Sequence, residues 1–350
     1  MQEVLEILKR AAELGATDVL LVSGSPPMGR VHGELQPLGE VLSPGDAARM
    51  VRSLMTDRQT ARFEEERELD LALTIPGVGR FRVNAYFRAG VPAAVLRRIP
   101  TRPMTLKEIG LEEELAPHLA RSAGLILVAG PAGSGKTTLL NAVVDWILRH
   151  RSVHVITIED PIEYLHEGGR GTVSQREVGS DTRSFASALR SALRQSPDVI
   201  VIGEVRDRET AESLMVAAQT GHLVLASLHA FTAPEAVEKL LNLAQDQAKT
   251  RMELAEVLLL VVVLQLLPSR GGGRVLAHEL LLATPAVRTL IREGKPHQMR
   301  NLMSTTPGMR TMERSLADLL SRGLITLDEA TARASNKQEL LWHVHGVRPG

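Results

Sequence analysis

The chain has 350 residues, 44% apolar and 23% charged, and its 41 basic and 41 acidic residues cancel to a formal net charge of zero. That length suits two domains rather than one small core, the composition is that of an ordinary globular protein, and the lack of a basic excess argues against nucleic acid as a partner. There is no cysteine, which excludes disulfides and thiolate metal sites and is compatible with a reducing cytoplasm.

In MQEVLEILKRAAEL, Val4, Leu5, Leu8, Ala11 and Ala12 fall at helical spacing. This predicts an amphipathic helix and lacks the continuous apolar core of a signal peptide. A strand at Asp18–Val22, a turn in SGSPPMG and strand-like alternation over Arg30–Leu38 follow. Ser43 reads as the N-cap of a helix Pro44–Leu54, with proline at its first position. Strands are expected at Leu69–Thr74, Arg80–Tyr86 and Ala93–Ile99, the first two joined as a hairpin by the turn Pro76–Gly79. Residues 1–100 therefore read as a small α+β domain, and Pro100 and Pro103 mark a linker over 101–105. Arg80, Arg82, Arg88, Arg97 and Arg98 crowd this domain. A solvated strand face is the plain reading; a surface offered to phosphate is the sharper one.

From Leu106 onward strands and helices alternate. The stretch GLILVAGPAGSGKTT, Gly124–Thr138, places an apolar strand, a glycine-rich turn and a helix start in sequence. It spells GxxxxGK[ST], in which glycines let successive N–H groups point into one hollow that binds phosphate oxygens. The candidate nucleotide-binding residues are Gly130, Pro131, Ala132, Gly133, Ser134, Gly135, Lys136, Thr137 and Thr138. In this motif Lys136 reaches the β- and γ-phosphates and the Thr137 hydroxyl ligates magnesium. Strand Val153–Ile158 then runs into EDPIEY, and a helix Ser184–Gln195 into strand Val199–Ile202 and Gly203-Glu204. A helix Glu209–Gln219 leads to strand Leu223–Leu228, which ends at His229. Wholly apolar strands alternating with helices predict an α/β domain with a parallel sheet covered on both faces. Lys136/Thr137, Glu159-Asp160-Glu163, Glu204 and His229 all stand past carboxyl ends of strands, where open α/β sheets bind ligands. His222 and His229 do not share a metal, because seven extended residues span ~23 Å.

The C-terminal part, completing residues 106–350, reads as helical. The apolar run Val257–Leu267 is too short to span a bilayer and predicts a buried helix over 250–267. A glycine turn at Gly271–Gly273, a strand at Val275–Leu280, helices at Pro285–Glu293 and Met309–Ser321, and a last helix from the capping box at Thr326 complete the chain, with Val347–Gly350 frayed.

These motifs resemble the secretion ATPase superfamily and, within it, the type IV pilus retraction ATPases, the PilT family. GATDVLLVSGSPPMGRVHGEL, GRFRVNAYFRAG and LRRIP resemble the family's N-terminal domain. GPAGSGKTT resembles its Walker A, ITIEDPIEY its aspartate box, SPDVIVIGEVRD its Walker B and TGHLVLASLH its histidine box. VRTLIREGKPHQM resembles a C-terminal signature associated with retraction. Ser196, Ala230, Phe231 and Thr289 depart from the family's pattern.

The resemblance implies a RecA-like P-loop ATPase core with a smaller PAS-like N-terminal domain, assembled as a homo-hexamer. It implies ATP and Mg2+ as ligands and a motor that disassembles the pilus, driving twitching motility. Glu163 is expected to polarise the attacking water and Glu204 to hold magnesium through water, with the two roles exchangeable. His229 is expected to sense the γ-phosphate, and Thr137 to share the metal. Arg82, Arg88, Arg98, Arg190 and Arg194 become candidate phosphate contacts from neighbouring domains. The implied location is cytoplasmic, peripheral at the inner membrane through a pilus platform protein. Three other readings stand beside it. One is an accessory retraction ATPase working with a paralogue. Another is an assembly or type II secretion ATPase, disfavoured because the chain starts at the PAS-like domain and lacks the four-cysteine metal site. The last is a RecA-like DNA-handling ATPase, disfavoured by the charge balance.

Overall fold

A computed structural model of the protein describes residues 2–31, 33–100 and 102–345. Thr101 of the expected linker and the expected fray at Val347–Gly350 lie outside the described residues. The chain forms two compact units, one of residues Met1–Pro103 with Pro161–Leu165, the other of Met104–Asp160 with His166–Gly350.

The first unit is built on a six-stranded sheet. Its strands are β1 (Asp18–Leu21), β2 (Met28–Val31), β3 (Glu34–Pro37), β4 (Glu68–Ile75), β5 (Gly79–Arg88) and β6 (Val91–Ile99), in the order β3-β2-β1-β6-β5-β4. The helices Gln2–Glu13, Pro44–Arg52 and Asp57–Glu66 bury Val4, Leu8, Ala47, Val51 and Phe63 against Phe81, Val83, Ala85 and Leu96 of one sheet face. The pleat turns Arg82 to the opposite face, and register places it across from Arg97. Arg98 stands across from Phe81, so it shares the helix-covered face and is separated from Arg82 and Arg88. The helix Asp57–Glu66 was not expected, since it buries only Phe63. Thr56 and Gln59 start it as a capping box, a signal present in the sequence.

The second unit carries a seven-stranded sheet. Its strands are β7 (Gly124–Ala129), β8 (His154–Glu159), β9 (Thr172–Glu177), β10 (Val199–Ile202), β11 (Leu223–Leu228), β12 (Leu258–Pro268) and β13 (Arg274–Leu282). The order is β13-β12-β7-β11-β10-β8-β9, parallel throughout except for the antiparallel edge strand β13. Alternate residues feed two separate cores. Leu125, Leu127, Ile200, Val224 and Ala226 pack into one and Ile126, Val128, Val201, Leu223 and Leu225 into the other, which is why the strands read as unbroken apolar runs.

The run expected as a helix over 250–267 divides. Its first part completes the helix Gln247–Val257, and Leu258–Pro268 is β12, parallel to β7 and antiparallel to β13. A strand buried on both faces and a buried helix share the same continuous apolar pattern, so periodicity does not separate them; the β-branched run Val261–Val263 favours the strand. The helix expected to Gln195 stops at Ala192, ahead of Ser196 with φ 51° and Pro197. Arg194 therefore sits on the turn beyond the helix and does not share a helical face with Arg190. The helix from Thr326 is also not the last, because Lys337–His345 follows it. No helix among the described residues is long and apolar enough to cross a membrane.

Candidate active site

The turn after β7 folds as a glycine-rich hollow of the kind that can cradle phosphate. Gly130, Gly133 and Gly135 have φ of 147°, 73° and 98°, backbone that L side chains rarely adopt. At Gly130 space is also decisive: a Cβ there would lie 2.4 Å from Ser134 Oγ and 2.6 Å from the Leu264 carbonyl oxygen. Ser134 Oγ is buried with no hydrogen-bond partner. The helix Lys136–His150 starts from Gly135 without a side-chain cap, so its first N–H groups are left for a ligand.

Lys136 Nζ donates to the Gly130 and Pro131 carbonyls at 2.8 and 3.0 Å and lies 3.3 Å from His229 Nδ1. His229 Nε2 is 3.0 Å from Glu204 Oε1, and Arg206 donates to Glu204 Oε2 at 2.7 Å. A lysine ammonium only donates, so His229 Nδ1 is the acceptor and Nε2 carries the proton toward Glu204. The result is one directed chain, Lys136 to His229 to Glu204. Burial pushes Lys136 below the usual ammonium range, opposed by the Glu204 charge. Burial alone would raise Glu204, but the Arg206 hydrogen bond and the charges of Arg206 and Lys136 outweigh it and hold the carboxylate low.

The parallel sheet explains this convergence. Gly130 follows β7, Glu204 follows β10 by two residues, and His229 follows β11. The order β7-β11-β10 sets these three ends side by side. Three groups that the sequence did not single out hold them. Arg206 pairs with Glu204, Lys239 Nζ donates to the His229 carbonyl at 2.6 Å, and Glu279 Oε1 accepts from Ala233 N, where the next helix starts. Arg206 was visible in the GEVRD run; Lys239 and Glu279 carried no signal.

The acidic segment is divided. Glu159 ends β8, buried, accepting from Thr157 Oγ1 at 2.6 Å and Gln175 Nε2 at 3.0 Å. Asp160 is exposed. Glu163 belongs to the first unit, where Arg82 lies 3.6 Å from its carboxylate and Arg80 donates to the Ile162 carbonyl. Burial raises Glu163, against the opposing charges of Arg82 and Arg97. Arg88 is exposed at the end of β5. Arg190 pairs with Glu209, and Arg194 donates to the Arg190 carbonyl at 3.3 Å. His222 sits at the opposite end of β11 from His229, with its Nδ1 3.0 Å from the Ala217 carbonyl.

Thr137 and Glu204 supply a hydroxyl and a carboxylate, hard oxygen donors of the kind magnesium takes when phosphate oxygens and waters complete its shell. No group of three or more His, Asp or Glu side chains among the described residues could form a metal cage by itself.

A family model described as type II/IV secretion system protein matches residues 31–332. The type IV pilus retraction ATPase PilT of Pseudomonas aeruginosa is 41% identical over 337 residues, covering 95% of this chain and 98% of that one. The type IV pilus ATPase PilU of the same organism is 40% identical over 344 residues, covering 97% and 90%. A crystal structure of a pilus retraction motor PilT with bound ADP superposes with a TM-score of 0.90 at 42% identity, covering 97% of this chain and 98% of that one.

Proposed function

This chain belongs to the type II/IV secretion system protein family, within its type IV pilus retraction ATPases, and on that premise we propose that it hydrolyses ATP to drive pilus retraction. The observation that carries the reading is the directed chain from Lys136 through His229 to Glu204 beside a glycine cradle. Hydrolysis of ATP to ADP and phosphate is mostly positioning and charge neutralisation, so few groups act on bonds directly. The cradle N–H groups and Lys136 hold the β- and γ-phosphates. Thr137 and Glu204 would hold Mg2+, which would supply positive charge against the phosphate oxygens. Glu163 polarises the attacking water, and its raised affinity for protons suits a group that accepts one. His229, hydrogen-bonded between Lys136 and Glu204, reports whether a γ-phosphate is present. Arg82 and Arg88, on one sheet face, offer cations to phosphate; Arg190 and Arg194 do so across a subunit boundary.

The motor works as a homo-hexamer in the cytoplasm, held at the inner membrane by a pilus platform protein. A second reading is an accessory retraction ATPase acting with a paralogue; the 40% identity to the type IV pilus ATPase PilU stands level with the 41% to PilT. Deleting the gene and imaging surface pili tests the function. Hyperpiliated cells that no longer twitch are expected; bald cells would overturn retraction in favour of assembly. Restoration of twitching by extra copies of a paralogue would assign the accessory role.

A further inference from the structure

His229 lies on a short loop, residues 229–232, between β11 and the helix Ala233–Leu243. The ladder between β11 and β7 ends at the pair Leu228 and Ala129, so the His229 carbonyl has no strand partner there. Lys239 Nζ donates to it at 2.6 Å. Two residues on, the Phe231 N–H donates to Glu235 Oε2 at 2.7 Å. Two further, the Ala233 N–H donates to Glu279 Oε1 at 2.5 Å. Thr232 Oγ1 accepts from Glu235 N at 3.2 Å and starts the helix. Side chains thus hold the backbone of this loop at every second residue. All of these residues belong to the second unit.

Two of the three anchors come from one face of the helix itself. Glu235 and Lys239 stand four apart with the glutamate first, the spacing at which exposed side chains pair with each other. Here both reach back to the loop that precedes their own helix. The loop needs that support because of what it carries. The His229 side chain is 44% exposed, so packing does not fix its ring. Its Nδ1 nevertheless lies 3.3 Å from Lys136 Nζ and its Nε2 3.0 Å from Glu204 Oε1. A half-exposed imidazole keeps two such contacts at once only while its own backbone stays in place.

We propose that Lys239 and Glu235 are positioning residues for the phosphate sensor: they fix the backbone of the loop and, through it, the His229 ring between Lys136 and Glu204. The proposal rests on the reading of His229 as the group that reports a γ-phosphate. Neither residue touches the reacting atoms in this scheme. ADP has no γ-phosphate for His229 to meet. Displacing the ring therefore slows turnover and leaves ADP affinity alone, because a misplaced group costs rate without removing the contacts that bind ADP.

The test is steady-state ATP hydrolysis by the purified protein carrying Lys239→Met or Lys239→Arg. Methionine keeps an unbranched stem without a donor; arginine restores one. Lys239→Met should lower kcat by about tenfold, with the Kd of a fluorescent ADP analogue changed less than about threefold. Because Lys239 is exposed, Tm should move by less than about 2 °C. Lys239→Arg should recover kcat to within about threefold of the parent. Added to His229→Ala, Lys239→Met should cost less than about twofold more, since no ring is left to place. Parental kcat in Lys239→Met, an equal loss of ADP affinity, an arginine variant as slow as the methionine one, or a full tenfold loss on top of His229→Ala would each overturn the proposal. Should Lys239→Met fail to fold, Glu235→Met carries the same split between kcat and ADP affinity, and parental turnover in that variant overturns it. Failure of the underlying reading looks different: His229→Ala alone would then keep parental turnover, whatever the Lys239 variants do.

Discussion

Two clusters in the ATPase unit are made of the same ingredients and do opposite things. Lys136, His229, Glu204 and Arg206 meet where β7, β11 and β10 end, with the His229 side chain 44% exposed and that of Glu204 17%. Arg300 meets Glu313 at 2.6 Å and Glu339 at 2.9 Å, with those carboxylates 0% and 8% exposed and Glu279 buried nearby. The first cluster hangs from strand ends whose backbone diverges, so solvent and ligand reach it. The second joins the helices Met299–Met303, Met312–Ser321 and Lys337–His345 and closes on itself. Clustered charge alone does not single out a candidate site; an open strand edge beside a glycine turn is what sets the first cluster apart. The two are also connected, since Glu279 accepts from Ala233 N, four residues beyond His229.

Removing the cation from each cluster separates their roles most sharply. Lys136→Ala should lower kcat by about a thousandfold or more, since one preorganised charge on a transferring phosphoryl group is worth several kcal/mol. Retained hydrolysis by the purified variant would remove this site from the chemistry. Glu163→Gln should cost about a hundredfold in kcat while ADP still binds with near-parental affinity. Loss of ADP binding instead would move Glu163 out of the water-polarising role.

Apart from Arg206, the open cluster was legible before any coordinates, and the closed one was not. Each member of the first follows an unbroken apolar strand, so strand ends and a parallel sheet were enough to bring Lys136, Glu204 and His229 together. The second draws Glu279, Arg300, Glu313 and Glu339 from separate elements of the C-terminal part, and nothing local to any of them announces the others. The same limit explains β12, where continuous burial erases periodicity, and the polar edge strand β9, TVSQRE, which has little apolar pattern to read. It also explains Glu163, which the contiguous EDPIEY run places with Glu159 but the fold groups with the first unit.

Arg300→Met tests the closed cluster as scaffold. It strands Glu313 and Glu339 as buried carboxylates, which typically costs about 3–5 kcal/mol. Tm should fall by about 10 °C in thermal unfolding. Below that transition kcat should stay near parental. A large kcat loss at unchanged Tm would make this cluster part of the chemistry.

The smallest expected effect is a change of slope with pH. Burial raises Glu279 to about 7, against the hydrogen bond from Ala233 and the Arg300 charge. The native state therefore holds a proton that the unfolded chain releases near 4.5, so this contribution to stability is complete below about 4.5 and is lost as pH rises through about 7. Burial acts on His166 in the other sense. Its contribution is present above about 6.5 and lost as pH falls through about 4. Across the overlap the two trends oppose each other and flatten the parent's profile. Glu279→Gln keeps an acceptor for Ala233 N and removes the titration, so any pH-independent cost shifts the whole profile and leaves its slope to report the proton. Denaturant titrations between pH 4.5 and 7 should show the variant gaining on the parent with rising pH, by up to about 3 kcal/mol. A difference that stays flat would mean that Glu279 is ionised in the fold. The closed cluster would then carry a full negative charge beside Arg300 and lean on that arginine more heavily than its geometry implies.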